Sequence, residues 1–147
     1  MDIMNHKIFI KACELLKASG SSYEELISPF WSEVQDGVVL PTLGKVIPRL
    51  EPMDYWCSWD EAMVDAAISG LTLPSKEELQ YMQSHVDQIN RLLSAHNGNP
   101  LRNKAFWSST EATENSALVV YFGSGDTFIN GKCDNLYARP LAEFKKR

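Results

Sequence analysis

Two kinds of patterning, separated along the chain, predict an α+β fold. Capped segments with apolar residues at helical spacing occupy much of the first two thirds, and short β-rich runs broken by Gly, Asn and Asp fill the last third. Between helical segments, the β-branched stretch 38–47 with its internal Pro41 and Gly44 predicts one or two short strands joined by a turn. At 147 residues, 44% hydrophobic and 22% charged, the chain has ordinary globular composition and enough length for a single real core.

Residues 5–18 read as the first helix. Asn5 caps it, Ile8, Phe9, Ala12, Leu15 and Leu16 recur at helical spacing, and Gly20 stops it. Ser22 and Glu25 form the capping box of a second helical start, which Pro29 limits. Residues 1–35 are therefore expected to be an N-terminal helical appendage, with the main domain at 36–147. Packing on that body is the first expectation for the appendage, because apolar positions surround the first helix too fully for a simple two-strand seam. Docking to a second copy or to a particle through residues 1–34 is the alternative.

Further on, Ser58-Trp59-Asp60-Glu61 opens a helix through a capping box, with Ala62, Met63, Ala66, Ala67 and Ile68 leading to a stop at Gly70. Ser75 and Glu78 open the next, whose apolar face continues through Leu79, Met82, Val86, Ile89, Leu92 and Leu93 with a break expected near 84–87. Asn97-Gly98-Asn99-Pro100 is a turn. The apolar run 117–122, hairpin chemistry at Gly123-Ser124-Gly125-Asp126 and a returning Thr127-Phe128-Ile129 predict antiparallel pairing. Gly131-Lys132 then allows a second turn before Leu136-Tyr137-Ala138.

Several function classes are disfavoured by composition. A formal charge of −5 argues against nucleic acid or an anionic membrane surface as the main partner. Lys145-Lys146-Arg147 is most simply a solvated tail. The first residues lack a basic stretch followed by a clean apolar run, and no window approaches a membrane span. Cys13, Cys57 and Cys133 are odd in number and widely spaced, which does not suit a disulfide framework and agrees with cytoplasmic folding. Work outside a cell would then use a virion or a dedicated export route; localisation stays open. Of the histidines, His6 sits at the start, His85 within a helical stretch, and His96 where it favours a helix C-terminus. Cys57, between Trp56 and Ser58-Trp59, reads as a small buried hydrophobe. No Cys/His spacing suggests zinc and no Gly-rich phosphate loop occurs. No catalytic residue, cofactor or metal is expected.

Three motifs stand out: Leu73-Pro74-Ser75-Lys76-Glu77-Glu78-Leu79, Phe106-Trp107-Ser108-Ser109-Thr110-Glu111 and Tyr137-Ala138-Arg139-Pro140-Leu141. Trp107 is bulky, begins a strand-like segment and is expected to anchor the core with its indole N–H on a carbonyl. Ser108, Ser109 and Thr110 supply hydroxyls for a turning backbone. Glu111 and Arg139 are expected to form a partly buried ion pair tying that turn to the last strand.

In order and spacing these motifs resemble the "LPTxEEL … YWSSTE … VRPV" pattern of a bacterial and phage branch of the C-type lectin-like fold. That branch includes the C-terminal domain of Legionella-type collagen-like adhesins and formylglycine-generating-enzyme-like variable proteins. The resemblance spans residues 58–144. It implies a C-type lectin-like domain of two helices and a meander of short antiparallel strands, and a scaffold for binding. This chain departs from the pattern at Gly70-Leu71-Thr72, where Gly-Trp-Arg is common, at Ala117-Leu118, where Ala-Trp is common, and at Ala138 and Leu141, where valines are common. The sugar-binding triplets Glu-Pro-Asn and Trp-Asn-Asp are absent, since Glu51-Pro52 is followed by Met53. Asp126, Asn130, Asp134 and Asn135 match no standard calcium loop.

The segment 112–136 carries the candidate binding surface. Asp126, Thr127, Phe128, Ile129 and Asn130, then Cys133, Asp134, Asn135 and Leu136, follow neither a strand nor a helix period. Phe128 beside Ile129 puts at least one apolar side chain outward on a strand. Ala112, Thr113, Asn115, Ser116, Leu118 and Gly123 complete the ligand-binding candidates, with Phe128 and Leu118 as anchors and Val120 turned to the core. Some relatives in the resemblance are variable proteins of diversity-generating retroelements, whose randomised Asn codons never yield Lys, Glu, Gln, Met or Trp. Every residue of 126–131 and 133–136 falls within the reachable set, and Lys132 between them matches the pattern's fixed lysine.

The expectation is a non-enzymatic ligand- or receptor-binding protein with a protein or glycan partner on a cell surface, diversified by a retroelement. The alternative is a structural or assembly component of a phage or bacterial surface particle. Third comes a degenerate enzyme of the formylglycine-generating type, for which the catalytic cysteine pair is missing.

Overall fold

The β-branched stretch near the start of the main body folds as the hairpin its Pro and Gly imply. Strand β2 (Gly37–Leu40) pairs antiparallel with β3 (Lys45–Pro48), and Gly44 closes the turn at φ 65 with its N–H on the Leu40 carbonyl at 2.9 Å. A side chain at Gly37 would run into the Ile47 carbonyl oxygen, so the close approach of the two strands requires glycine there. The computed structural model describes residues 30–32, 35–51 and 56–143. The helices expected at 5–18 and from Ser22 lie outside these residues.

Among the described residues the fold is α+β, with three helices and two antiparallel sheets. The first sheet has the order β1-β2-β3-β7, where β1 is Phe30–Ser32 and β7 is Ala142–Glu143. The second has the order β4-β5-β6, with β4 at Ala105–Thr113, β5 at Ser116–Tyr121 and β6 at Thr127–Gly131. β1 corrects the expected boundary at 35/36. Phe30–Ser32 pairs with Val39, Val38 and Gly37, so the main body reaches back into the segment read as a helical appendage.

Local signals set the helices. In α1 (Trp59–Ile68) the Ser58 hydroxyl accepts from the Glu61 N–H at 3.3 Å, and the Glu61 carboxylate accepts from the Ser58 N–H at 2.8 Å. The bond from the Ser58 N–H, with the Ser58 side chain adding to it, holds the Glu61 carboxyl below the usual carboxylate range. Ser75 and Glu78 make the same box at the start of α2 (Lys76–Ser84), and the free Glu78 oxygen meets Lys45 Nζ at 2.8 Å. The expected break falls at His85, which ends α2 and begins α3 (Val86–Ala95). Asn97, at φ 59, then turns the chain out of α3.

The second sheet lies between two apolar clusters. Phe106 and Val120, cross-strand partners, face Leu79, Met82, Ile89, Leu93 and the first sheet's Val38, Leu40 and Ile47. On the other face Trp107 and Val119, the next pair, join Cys57, Trp59, Ala62, Leu73, Ala117 and Ala138. Aromatic payload on both faces makes β4 the spine of the molecule. The turn expected at 108–110 is instead a register shift within one continuous strand, between Trp107 and Glu111. The hydroxyls expected to satisfy a turn satisfy this irregularity. Ser108 Oγ donates to the Leu118 carbonyl at 2.6 Å and accepts from the Thr110 N–H at 3.1 Å. No described helix is long and apolar enough to cross a membrane.

Candidate binding surface

Trp107 is fully buried, and its indole N–H donates to the Cys57 carbonyl at 2.8 Å, as its sequence context implies. Trp59 does the same one turn away, donating to the Ser108 carbonyl at 2.9 Å. These two bonds fix the 57–59 segment against β4, and that segment in turn holds the last loop. Cys57 and Leu136 exchange both backbone bonds at 3.0 Å, and Trp59 N–H meets the Lys132 carbonyl at 3.1 Å. On the closed edge of the sheet, Tyr137 runs parallel beside Phe106, accepting from Trp107 N–H at 2.9 Å.

The expected Glu111–Arg139 pair is not formed. Glu111, with its side chain 55% exposed, pairs with Lys132 Nζ at 2.6 Å. That ammonium also donates to the Glu114 carbonyl at 2.9 Å and lies 4.3 Å from the Trp59 ring centroid. Lys132 is thus the clasp between β6, the β4–β5 hairpin and the start of α1. Arg139 is buried elsewhere. Its Nη2 donates to the Pro48 carbonyl at 2.9 Å, and its Nη1 lies 3.6 Å from a Glu51 oxygen, near enough for Coulomb attraction and too far for a hydrogen bond. Glu51, almost as deeply buried, accepts two bonds from Arg102 at 3.1 Å each. Arg139 Nε and Nη1 reach no acceptor among the described residues. Burial pulls its pKa down to about 10 against the pull of Glu51, with Arg102 adding to the decrease.

None of the fifteen candidate positions is buried, whereas Ala117, Val119 and Val120, interleaved with them on β5, are fully or almost fully buried. The β5–β6 register explains the division. Leu118 pairs with Ile129 and Ser116 with Gly131 on the α2 side, where Gln80 also reaches the Thr127 hydroxyl at 2.9 Å. Phe128 pairs with Val119 on the opposite face. Ile129 is 66% and Phe128 49% exposed, so both apolar side chains point outward, one on each face. The hairpin tip between β4 and β5 is tied by Thr113 and Ser116 hydroxyls 2.6 Å apart and by Asn115 N–H on Thr113 Oγ1 at 3.2 Å. Ala112 precedes it, partly exposed. At the other end Gly125, at φ 82, makes the tight turn, with Gly123 and Asp126 exposed beside it and Ser124 bonding the Asp126 carboxylate at 2.9 Å. Asn130 Nδ2 donates to the Asp134 carboxylate at 3.2 Å across the second loop, which also exposes Cys133 and Asn135.

Sequence reasoning missed Tyr121, whose exposed ring ends β5, and Trp56, exposed and edge-on to Tyr137 at 5.7 Å. For Tyr121, strand alternation beyond Val120, which turns to the core on the opposite face, was the available signal.

The remaining chemistry is engaged elsewhere. His85 Nδ1 lies 3.0 Å from the Tyr81 carbonyl and from Ser84 Oγ, and His96 stacks on Trp31 at 3.9 Å with a 5° interplanar angle. Burial, reinforced by Glu61 and Asp65, pushes the Cys57 thiol up to about 11. Cys57 and Cys133 are both free. Among the described residues no group of three or more His, Cys, Asp or Glu side chains could hold a metal. A groove of about 580 Å³ between α1, α2 and β3 is lined by none of the candidate positions, and its Lys45 and Glu78 charges are spent on each other. No protein-family model and no curated protein sequence matches the chain.

Proposed function

We propose that this chain is a non-enzymatic binding protein with a C-type lectin-like fold. It presents β5, β6 and the loop 132–136 to a protein or glycan ligand on a cell surface. One observation carries the reading: none of the fifteen candidate positions is buried, although Leu136 packs in part against the core, and on β5 they alternate with Ala117, Val119 and Val120, which are buried. Such a division lets the outer positions vary while the inner ones hold the frame, which is what retroelement diversification of this segment requires. Phe128, Ile129 and Leu118 supply apolar anchors, and Thr113, Asn115, Asn130 and Asn135 supply adaptable hydrogen bonding around them.

The test immobilises the full chain and challenges it with a glycan array and a panel of intact bacterial cells. Retention by the unaltered chain, lost in a Leu118→Ser, Phe128→Ser, Ile129→Ser variant of equal thermal stability, supports the reading. Equal retention by both, or by neither, contradicts it. Diversification has its own test in the flanking DNA. A reverse-transcriptase gene and a near-repeat of the 3′ coding segment differing at adenines support it, and the absence of both removes it.

A further inference from the structure

β6 is the outer strand of its sheet, and Thr127-Phe128-Ile129-Asn130-Gly131 contains no lysine, proline or register shift of the kind that blunts an edge. The register shows which backbone groups face outward. Tyr121 N–H donates to the Asp126 carbonyl and Lys132 N–H to the Asn115 carbonyl, both at 2.9 Å, at the two ends of the β5–β6 ladder. Bonded and non-bonded pairs alternate in an antiparallel ladder, so Phe128 and Asn130 turn their backbone toward β5. Thr127, Ile129 and Gly131 turn theirs away from it. The Gly131 carbonyl is taken by the Asp134 N–H at 3.0 Å. The outward row therefore offers the N–H groups of all three residues and the carbonyls of Thr127 and Ile129.

Side chains flank that row on both faces, Ile129 with Leu118 on one and Phe128 on the other. The surroundings are acidic. From 111 to 136 the chain carries Glu111, Glu114, Asp126 and Asp134 against the single Lys132, whose ammonium is already held by Glu111 and the Glu114 carbonyl.

We infer that β6 accepts an extended, basic segment of a partner protein as an added strand, with apolar side chains at intervals that pack beside Ile129 and Phe128. This rests on the binding-surface reading above and adds to it the geometry and charge of the occupant. Backbone bonding supplies the affinity in such a mode, and the flanking side chains and acids select the segment. A second copy of the chain is the poorer occupant, because pairing β6 with itself brings the flanking Asp126 and Asp134 of both copies together across strands about 4.8 Å apart, inside a Debye length.

The test uses the full chain and a short peptide alternating lysine and valine. Controls are the same peptide N-methylated at alternate residues, which removes backbone donors from one edge, and a lysine–glycine peptide of equal charge. The lysine–valine peptide is expected to bind about tenfold or more tightly than either control, and more weakly as salt rises. It is also expected to slow amide exchange at Thr127, Ile129 and Gly131. Ile129→Pro removes one outward N–H and blocks the edge, and Thr127→Lys guards it should the proline variant fail to fold; each is expected to abolish the exchange protection. Equal binding by the N-methylated peptide, or no new protection at those amides, overturns the inference. So does a concentration-dependent dimer in sedimentation that Ile129→Pro disrupts. Cell or glycan retention that is lost in the triple-serine variant yet survives in Ile129→Pro overturns strand addition while leaving the binding-surface reading standing.

Discussion

Strand β4 carries Phe106 and Trp107 on opposite faces and buries both; β6 carries Phe128 and Ile129 on opposite faces and buries neither. The two strands share a sheet, a common neighbour in β5, and a similar aromatic and β-branched chemistry. What separates them is coverage. β4 has α2 and the first sheet on one side, α1 and the 57–59 segment on the other, and the Tyr137 segment along its edge. β6 has one strand neighbour and the tip of Gln80. Hydrophobicity alone therefore does not decide which strand is core. Position in the sheet does, and an uncovered edge leaves apolar residues free to serve contact.

The largest effect expected from this contrast is on stability. Trp107→Ala is expected to cost about 3–5 kcal/mol in urea unfolding, whereas Phe128→Ala stays within about 0.5 kcal/mol of the parent. Comparable losses for the two would erase the distinction between the strands.

Glu51→Ala is expected to cost about 3–5 kcal/mol, because it strands Arg139 in the interior without its counter-charge. Adding Arg139→Met to that variant is expected to recover part of the loss, read from the same unfolding curves. A further loss on the second substitution would show that Arg139 acts through its Pro48 bond and not through its charge.

Smaller again is the clasp that joins the two regions. Lys132→Met is expected to cost about 1–2 kcal/mol through its bond to the Glu114 carbonyl and its contact with Trp59. Glu111→Gln, at an exposed partner, is expected to cost less than about 0.5 kcal/mol.

The thiols give the finest comparison. In a Cys13→Ser background a maleimide is expected to modify Cys133 in the folded protein and Cys57 only after unfolding, as mass spectrometry reads. Cys57 holds its proton up to about 11 when folded against an ordinary 9.0, so the unfolded chain loses that proton first as pH rises. Its contribution to stability is complete below 9.0 and is lost as pH rises through about 11. Cys57→Ala is expected to remove that part of the alkaline destabilisation.

How much of this was legible in the sequence follows from the range of each interaction. The capping boxes at Ser58 and Ser75 are local, spanning three residues, and read directly. Trp107 as anchor and Val120 as core follow from bulk and strand alternation. The irregularity at Ser108–Thr110 read as a turn because the hydroxyls that satisfy a turn satisfy a shifted strand equally well. β1 and β7, three and two residues long, are too short to show a period. The partner of Arg139 was misassigned because Glu111 is the acid of the neighbouring motif, while Glu51 arrives from beyond β3 through tertiary folding. The outward side chains of β6 were expected from composition, but which backbone edge stays open depends on sheet order, and sheet order is not a local property.

A substitution scan across 105–139 with a protease-resistance readout tests the central division most directly. Trp107, Ala117, Val119 and Val120 are expected to reject polar replacements, while Phe128, Ile129, Asn130, Asp134 and Asn135 accept nearly all without loss of resistance. If Phe128 and Ile129 prove as intolerant as Trp107 and Val119, β6 is part of the structural core and the division between frame and display surface is wrong.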